Sequence, residues 1–326
     1  MRKNKMQKDS KIFVAGHKGM VGSAVLENLK SKGYENLITK TRQELDLTNQ
    51  SETEGFFKQY WPSVVIDCAA KVGGIHSNNV YRAEFIYDNL QIQNNLIHYS
   101  HEYQIDKLLF LGSVCIYPKF TDQPIKEEYL LRSPLEPTNE PYAIAKIAGI
   151  KMCESYHRQH ADEFLSVMPA NLYGENDNFH PRNSHVLPAL MRRFHEAKGK
   201  ELEEVEVWGT GEAMREFMHV KDLADACVHI LENCNFKDIY DQGVSQINIG
   251  TGEEISIKNL AHLIAEVVGY KGKIKFDLSK PDGTLKRVLD CSRLHKLGWH
   301  HKTNLKEGLK STYNWFQKNE LNLRSV

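Results

Sequence analysis

Short apolar runs alternate with longer stretches of helical periodicity through the first half of the chain. The runs predict buried strands, and apolar residues spaced three and four apart predict amphipathic helices. The predicted strands are residues 11–15, 36–39, 63–67, 107–111 and 164–169. The predicted helices are residues 16–32, 52–60, 82–103 and 142–160. This alternation predicts an α/β fold with a doubly wound parallel sheet (Rossmann type) and helices on both faces.

The alternation ends after Gly174. The segment ENDNFHPRNSH is rich in Asn, His and Pro, which is typical of a loop. Helices are predicted at 187–198 and 222–233, and a strand at 246–249 is expected to rejoin the sheet. We therefore predict a flexible basic tail, a nucleotide-binding domain and a smaller α/β substrate-binding lobe. Their ranges are 1–10, then 11–176 with about 219–250, then about 177–218 with 251–326.

Composition narrows the possible partners. The chain has 326 residues, and its 42 Lys and Arg balance 42 Asp and Glu. No global field attracts nucleic acid or an anionic membrane, so neither partner is expected. No apolar run approaches the ~18 residues of a membrane span, and the N-terminus lacks the apolar stretch of a secretory signal. The six scattered cysteines lack zinc-ligand spacing, so we expect a soluble cytoplasmic protein without a metal site.

Three glycines follow the first predicted strand in the pattern G-x-x-G-x-x-G. They are Gly16, Gly19 and Gly22, at the mouth of the first helix. Bare backbone N–H groups and the helix dipole at this place hold a pyrophosphate in dinucleotide-binding folds. The alternative is a glycine-rich turn that only packs the helix on the strand. Its position at the start of the alternating strands and helices favours dinucleotide binding.

The end of the second predicted strand indicates which dinucleotide is bound. An NAD enzyme usually places a carboxylate there to accept from the ribose 2′-OH. Here the sequence reads Lys40, Thr41 and Arg42. A guanidinium pairs with a 2′-phosphate, and Lys18 in the glycine loop adds a second cation, so NADPH/NADP+ is the predicted cofactor. Solvated surface cations are the alternative.

Tyr142 and Lys146 lie four residues apart on one face of a predicted helix. A ketone that accepts hydride develops negative charge on its oxygen, and a phenol protonates it better when a nearby ammonium lowers the phenol pKa. Ser113 follows the fourth strand, where its hydroxyl can bind the same oxygen. Tyr and Lys at this spacing can also be ordinary packing. The glycine loop and Ser113 favour a reductase.

Seven stretches together carry a resemblance to a known family. They are GHKGMVGSA (16–24), AAKVGGIHSNN (69–79), LGSVCIYPK (111–119), EPTNEPYAIAKIAGIK (136–151), DNFHPRNSHVLPALMRRFHEA (177–197), WGTGEAMREFMHV (208–220) and SKPDGT (279–284). From about residue 11 to 316 the chain resembles the GDP-L-fucose synthases, which are extended short-chain dehydrogenases/reductases. The resemblance implies conversion of GDP-4-keto-6-deoxy-D-mannose to GDP-L-fucose by C3 and C5 epimerisation and NADPH-dependent C4 reduction. It also implies a homodimer through the helices at 82–103 and 142–160.

The same resemblance implies roles for individual residues. Cys115 is the expected base and His185 the expected acid of the epimerisation. The plain alternatives are a buried small residue for Cys115 and a helix-capping loop residue for His185. The implied substrate-binding residues are Arg193, Trp208, Arg215, Lys280 and Asp282. The implied cofactor-binding residues are Gly16, His17, Lys18, Gly19, Met20, Val21, Gly22, Arg42, Asp46, Leu47, Leu111, Gly112, Ser113, Lys146, Pro169, Ala170, Asn171, Leu172 and His185. Lys18, Val114 and Ala170 depart from the family, which commonly has Arg, Ser and Thr there.

Two other functions fit the fold. A nucleotide-sugar 4,6-dehydratase or 4-epimerase uses the same Tyr and Lys, but a dehydratase is expected to carry an acid pair where this chain has Val114 and Cys115. A regulatory protein that binds NADPH without turnover usually lacks the Tyr or the Lys. Both Tyr142 and Lys146 are present.

Overall fold

The structure is a computed structural model that describes residues 5–181, 183–280 and 284–323. Its strands are β1 (Ile12–Ala15), β2 (Leu37–Ile38), β3 (Val64–Asp67), β4 (Lys107–Leu111), β5 (Phe164–Pro169), β6 (Asn171–Tyr173), β7 (Glu204–Trp208), β8 (Met214–Arg215), β9 (Phe217–His219), β10 (Gln246–Ile249), β11 (Ile255–Ser256), β12 (Lys273–Asp277) and β13 (Lys286–Arg287).

The helices are α1 (Met20–Ser31), α2 (Gln50–Tyr60), α3 (Ile75–Val80), α4 (Arg82–Glu102), α5 (Glu140–His160), α6 (Val186–Gly199), α7 (Val220–Asn233), α8 (Phe236–Tyr240), α9 (Ile257–Val268), α10 (Ser292–Lys296) and α11 (Leu305–Asn319). Short 3-10 helices are η1 (Val114–Ile116), η2 (Glu127–Tyr129) and η3 (Glu320–Asn322).

The main sheet has six parallel strands in the order β10-β5-β4-β3-β1-β2. Strands β1, β3, β4, β5 and β10 are buried along their whole length, as expected of a sheet covered by helices on both faces. The strand order reverses between β1 and β3, where Ala15 lies opposite Asp67. The crevice at the carboxyl ends of these strands is where such sheets bind ligands.

The predicted α/β fold class is confirmed, and each of the predicted strands is present. The element boundaries differ where caps and glycines decide them. Helix α1 begins at Met20 because the glycine loop precedes it, and α2 begins at Gln50 because the Asn49 side chain accepts from the N–H of Glu52. The second predicted strand, residues 36–39, is shorter in the structure, where β2 spans only Leu37–Ile38. The predicted strand at 246–249 does rejoin the sheet, as β10 beside β5.

Two hydrophobic clusters fill the interior. The first lies around the main sheet and includes α7, and the second joins α6, α9 and α11 with β7. Leu289, Leu294 and Trp299, which lie in the range predicted for the substrate-binding lobe, pack in the first cluster. The predicted division into domains stays a prediction.

The described part of the predicted N-terminal tail, residues 5–10, packs against the rest of the chain. Met6 is buried, and its N–H donates to the carbonyl of Leu231 on α7. Lys8 lies over the ring of Tyr34 and pairs with Glu232. Met6, an apolar residue among basic ones, makes the buried contact, and the charge pattern of the segment does not indicate it. Within the described ranges, no helix is both long and apolar enough to cross a membrane.

Candidate functional site

The glycine loop forms a cradle that has no room for side chains. Gly16 has φ +75°, and a Cβ there would lie 2.7 Å from the carbonyl oxygen of Cys68. A Cβ on Gly22 would overlap the carbonyl of Gly16. Gly19 caps α1 in extended conformation without a side-chain hydrogen bond, so the first N–H groups of α1, at Met20 and Val21, face the loop. The cradle fits a pyrophosphate.

A histidine in the loop adds a second indication of a ligand. Nδ1 of His17 is buried and has no hydrogen-bond partner among the described residues. Burial lowers the pKa of His17, and the charge of the adjacent Lys18 lowers it further. A neutral imidazole with an unused nitrogen beside an anion cradle suits contact with a bound cofactor.

The basic residues predicted to select NADPH lie on one rim of this cradle. The Arg42 side chain is 76% exposed, and its only described ion pair is a long contact of 3.9 Å with Asp46. Lys18 and Lys40 both act on Glu44, whose pKa is lowered first by the N–H of Thr41 and then by the Thr41 hydroxyl. Sequence reasoning missed Glu44, whose carboxylate is held by Thr41 at 2.8 and 2.7 Å.

Asp46 and Leu47, two of the predicted cofactor-binding residues, are largely engaged within the protein. The carboxylate of Asp46 accepts from the N–H and hydroxyl of Thr48. The carbonyl of Leu47 accepts from Asn95 at 2.8 Å, and its side chain packs on the main core. The half-buried Leu47 side chain leaves apolar surface that suits the face of a base.

The reductase residues meet at the carboxyl end of β4. Lys146 is buried, and its Nζ donates to the carbonyl of Leu111 at 2.8 Å and lies 4.6 Å from the ring centre of Phe110. Gly149 allows this packing, because a Cβ there would lie 2.5 Å from the Phe110 ring. Tyr142 is half-buried, with its ring centre 6.0 Å from the ammonium of Lys146.

The expected lowering of the Tyr142 pKa by Lys146 is wrong for this structure. Burial raises the pKa of Tyr142, and the neighbouring Cys115 and Asp67 raise it further. Burial also lowers the pKa of Lys146, with Asp67 as the first opposing group. Desolvation therefore dominates both members of the pair, which keeps the phenol protonated and available as an acid.

Cys115 lies directly beside the reductase residues. It is 7% exposed in η1, and Oγ of Ser113 accepts from its N–H at 3.5 Å. Burial raises the pKa of the Cys115 thiol, while Ser113, Arg287 and Lys146 lower it. A thiol with cationic neighbours in a partly enclosed site can exchange a proton with substrate.

His185 is the N-cap residue of α6, the position that the helix-capping alternative requires, but its side chain does not cap the helix. Its backbone carbonyl accepts from Ala189, but its ring makes no capping hydrogen bond within the described chain. His185 is exposed at the start of α6, and desolvation lowers the pKa of its ring. A neutral, accessible imidazole is suited to proton exchange.

The α6 start is tied to the reductase residues through the 73–74 turn. The N–H of Gly74 donates to the carbonyl of Asn183 at 3.0 Å. The neighbouring Gly73 packs on Phe85, whose ring meets that of Tyr142 edge-on at 6.2 Å. His185 and Tyr142 are therefore linked by a continuous series of contacts.

The cofactor-binding residues predicted around the fourth and fifth strands lie at the ends of β4 and β5. Leu111 ends β4 and Gly112 follows it, where a Cβ on Gly112 would overlap the Met168 side chain. Pro169 ends β5, and Ala170 donates its N–H to Ile249. Asn171 and Leu172 begin β6, where the Asn171 side chain donates to the Glu216 carbonyl.

Three of the predicted substrate-binding residues are close together. Arg193 and Trp208 line a cleft of about 290 Å³, and the guanidinium of Arg193 donates to the carbonyl of Glu206 at 2.6 Å. The ammonium of Lys280 lies 5.8 Å from the centre of the exposed Trp208 ring. Arg215 lies on β8 and donates to the carbonyls of Met214 and Thr284. Asp282 lies outside the described residues.

Comparison with known proteins identifies the family that has this arrangement. Residues 12–250 match the NAD dependent epimerase/dehydratase family. GDP-L-fucose synthase 1 of Arabidopsis thaliana is 58% identical over 315 residues, covering 97% of this chain and 95% of that protein. GDP-L-fucose synthase of Escherichia coli (strain K12) is 53% identical over 312 residues, covering 95% and 97%. The chain belongs to this family, in its GDP-L-fucose synthase branch.

A solved structure in the same family agrees over nearly the full chain. MlghC, a GDP-mannoheptose C4 reductase from Campylobacter jejuni with NADP bound, has a TM-score of 0.88 and 43% identity. The match covers 96% of this chain and 99% of that one. The roles assigned above to individual side chains stay predictions, because they rest on the geometry and the resemblance.

Sequence reasoning missed one buried carboxylate in this family member's site. Asp67 ends β3 with no exposed surface; its Oδ1 accepts from the N–H of Ala69 at 3.0 Å. Its Oδ2 has no partner among the described residues. Burial raises the pKa of Asp67 to about 6, and Lys146 limits the rise. Its position at a strand end could have marked it, but the sequence does not show that the place is buried.

Replacing Asp67 with Asn is expected to stabilise the protein above about pH 6. The native carboxyl binds a proton more tightly than the unfolded one, so the cost of its ionisation is present at high pH. That cost is lost as the pH falls through about 6 towards 4. A shift of about 2 pH units corresponds to at most about 3 kcal/mol in the free energy of unfolding. Denaturant titrations of Asp67→Asn and the parent across this pH range measure it.

The control for this prediction is Asp241→Asn, which removes a carboxylate that is 59% exposed. Its effect on the free energy of unfolding is expected to be small at every pH. Parent and Asp67→Asn curves that stay parallel from about pH 4 to 8 would contradict the prediction.

Arg42→Ala is expected to raise the KM for NADPH by about 10-fold or more and to leave that for NADH nearly unchanged. Only NADPH has the 2′-phosphate with which the exposed guanidinium can pair. Steady-state kinetics with both cofactors measure the ratio. Arg158→Ala on α5, also exposed, is the control. An equal rise in KM for both cofactors would remove the assignment.

Proposed function

We propose that this chain is an NADPH-dependent oxidoreductase and isomerase that converts GDP-4-keto-6-deoxy-D-mannose to GDP-L-fucose. The observation that carries the proposal is the position of Cys115, a thiol for proton exchange, beside Ser113 and close enough to Tyr142 and Lys146 for their charges to interact. The relatives that are 58% and 53% identical are named GDP-L-fucose synthase, which supports the same substrate and product.

The residues around the glycine loop fit NADPH as the cofactor. The glycine cradle, the unpartnered His17 nitrogen and the Arg42 rim would hold NADPH, and the related C4 reductase is solved with NADP bound. When bound, NADPH supplies the hydride that reduces the C4 ketone. Lys146 uses one of its three N–H donors on Leu111, which leaves two for the nicotinamide ribose.

Epimerisation requires that protons beside a ketone be removed and returned on the opposite face. Cys115 as a thiolate removes the proton and becomes a thiol, and His185, protonated as an imidazolium, returns one at the other face of the ring. The thiol then loses its proton and the imidazole regains one by exchange with solvent, so the pair can act at the second of C3 and C5, in either order. The reduction requires a proton at the C4 oxygen. Tyr142 donates it, and the Ser113 hydroxyl binds the developing oxyanion.

The substrate nucleotide would lie across the second cluster. Arg193, Arg215 and Lys280 offer cations to the diphosphate, and the exposed face of Trp208 offers an apolar wall to the base. Such a cleft would recognise a GDP-sugar by charge and stacking.

The alternatives are less well supported. A 4,6-dehydratase lacks its acid pair here, because Val114 and Cys115 occupy the positions after Ser113. A cofactor-sensing regulator has no use for a buried Tyr and Lys pair beside a thiol. A reductase of another GDP-keto sugar, such as the related heptose C4 reductase, is the closer competitor, and epimerisation distinguishes it from the proposed activity.

We further propose a cytoplasmic homodimer formed through α4 and α5. These helices pack closely on each other, and Tyr87 and Ile144 expose 62% and 43% of their surfaces on them. Apolar side chains on two adjacent helices suit a four-helix bundle with a second copy. Sedimentation as a monomer at micromolar concentration would remove the homodimer.

The function is tested by offering GDP-4-keto-6-deoxy-D-mannose and NADPH to the purified protein, with NADH in parallel. Absorbance follows cofactor oxidation, and NMR identifies the sugar. Formation of GDP-L-fucose with one NADPH consumed per sugar supports the proposal. NADPH binding without consumption, or a product reduced at C4 without inversion at C3 and C5, would contradict it.

A further inference from the structure

Arg287 reaches from β13 into the loop that carries Cys115. Its Nη1 donates to the carbonyl of Val114 at 2.9 Å, the residue directly before Cys115. Its Nη2 donates to the carbonyls of Tyr117 and Pro118 at 3.5 and 3.4 Å. One side chain therefore spans both ends of η1, although it lies far from η1 in sequence.

The guanidinium itself is held in place by its strand. The N–H of Val288 donates to the Gln123 side chain at 2.9 Å, and that of Leu289 donates to the buried carboxylate of Glu216 at 2.8 Å. The N–H of Ile125 donates back to the carbonyl of Val288 at 2.8 Å. These contacts fix the backbone on which Arg287 stands, so the three hydrogen bonds are preorganised.

The positive charge of Arg287 is not neutralised by a direct ion pair. Among the described residues, no carboxylate lies within 4 Å of its guanidinium, and Glu136, the nearest acid that acts on it, pairs with Lys119 at 3.0 Å. Burial lowers the pKa of Arg287, and Cys115 is the first group that opposes this. A guanidinium stays charged throughout the working pH range, so its charge acts on the neighbouring thiol.

From these contacts we infer that Arg287 is a positioning residue for the epimerisation, holding the Cys115 loop through three carbonyls and stabilising the thiolate by its charge. The inference rests on the proposed role of Cys115 as base. The other groups that face the thiol are Ser113, Lys146 and Tyr142. Lys146 would also contact the nicotinamide ribose and Tyr142. Arg287 is therefore the cation whose contacts are confined to the loop that carries Cys115.

The test measures the Cys115 thiolate directly and does not require turnover. Iodoacetamide alkylation of the intact protein is followed from neutral to alkaline pH, and mass spectrometry quantifies the Cys115 peptide. Arg287→Gln, which keeps an N–H donor but loses the charge, is expected to raise the midpoint by about one pH unit and to slow alkylation ~10-fold at neutral pH. An unchanged midpoint would overturn the inference.

Two further variants separate charge from position. Arg287→Lys keeps the charge without the fork, so its midpoint is expected to stay near that of the parent while solvent deuterium exchange into the sugar slows by about 10-fold. Lys286→Met removes a cation from the same strand that pairs with Glu254, and it is expected to change neither quantity. If Lys286→Met shifted the midpoint as much as Arg287→Gln, the shift would reflect the net charge of the protein and the inference would be overturned.

Cys227 serves as an internal reference if Arg287→Gln does not fold, because burial alone raises its pKa, to about 12. Cys115 in the parent protein, with Arg287 beside it, is expected to alkylate with a lower midpoint. Equal midpoints would overturn the inference. If Arg287→Gln shifted the midpoint as expected but the parent protein formed no GDP-L-fucose, the proposed function would be contradicted. The electrostatic role of Arg287 would remain.

Discussion

Tyr142→Phe is expected to slow NADPH oxidation by ~10²–10⁴-fold while solvent deuterium still exchanges into the ring carbons of the keto sugar. Burial raises the pKa of the Tyr142 phenol, so it retains its proton beside Lys146 on α5. Phe keeps the edge-on packing against Phe85 but has no proton for the C4 oxygen. The exchange depends on Cys115 and His185, so it continues.

The two activities are measured on the same sample. Absorbance follows NADPH, and NMR in deuterated water follows exchange at the carbons beside the ketone. The control is Tyr103→Phe, which removes a hydroxyl at the end of α4, where the ring packs on Phe57 and Trp61. It is expected to leave both rates unchanged. If Tyr142→Phe stopped exchange and reduction equally, the division of roles between Tyr142 and Cys115 would be wrong.

Much of the nucleotide-binding half could be predicted because its signals are local. A buried strand, a glycine loop and a helix follow one another within about twenty residues, and each has its own pattern. The loop could even be assigned to a cofactor, because the conformation at Gly16 and the close approach at Gly22 leave glycine as the only residue that fits. The small sheets of the second half gave no such signal, because β8, β11 and β13 are two residues long.

The residues that sequence reasoning missed act across long separations. Arg287 meets η1 from more than 160 positions away, at separations of 173 to 169 residues for its hydrogen bonds. Asp67 is notable only because its strand end is covered, which a linear pattern does not show. The expected effect of Lys146 on Tyr142 failed for the same reason. Spacing places the two side chains on one face, but burial decides the direction of the pKa.

Cys115→Ser is expected to have the opposite effect to Tyr142→Phe, with deuterium exchange reduced by ~10²–10⁴-fold and C4 reduction retained. A serine hydroxyl in this buried place does not ionise near neutral pH, so Arg287 and Lys146 no longer have an anion to stabilise. The side chains are nearly equal in size, so the loop held by Arg287 keeps its shape. The product then becomes a GDP-sugar that is reduced at C4 without inversion at C3 and C5.

NMR of the product decides this prediction, because NADPH oxidation alone does not distinguish the two sugars. Cys234→Ser, a buried cysteine outside the site, is the control and is expected to give GDP-L-fucose at the parent rate. Full inversion of the sugar by Cys115→Ser would show that another group removes the protons. His185 would then be the remaining candidate, because its ring is neutral and accessible at the start of α6, and Arg287 would lose its role with the thiol.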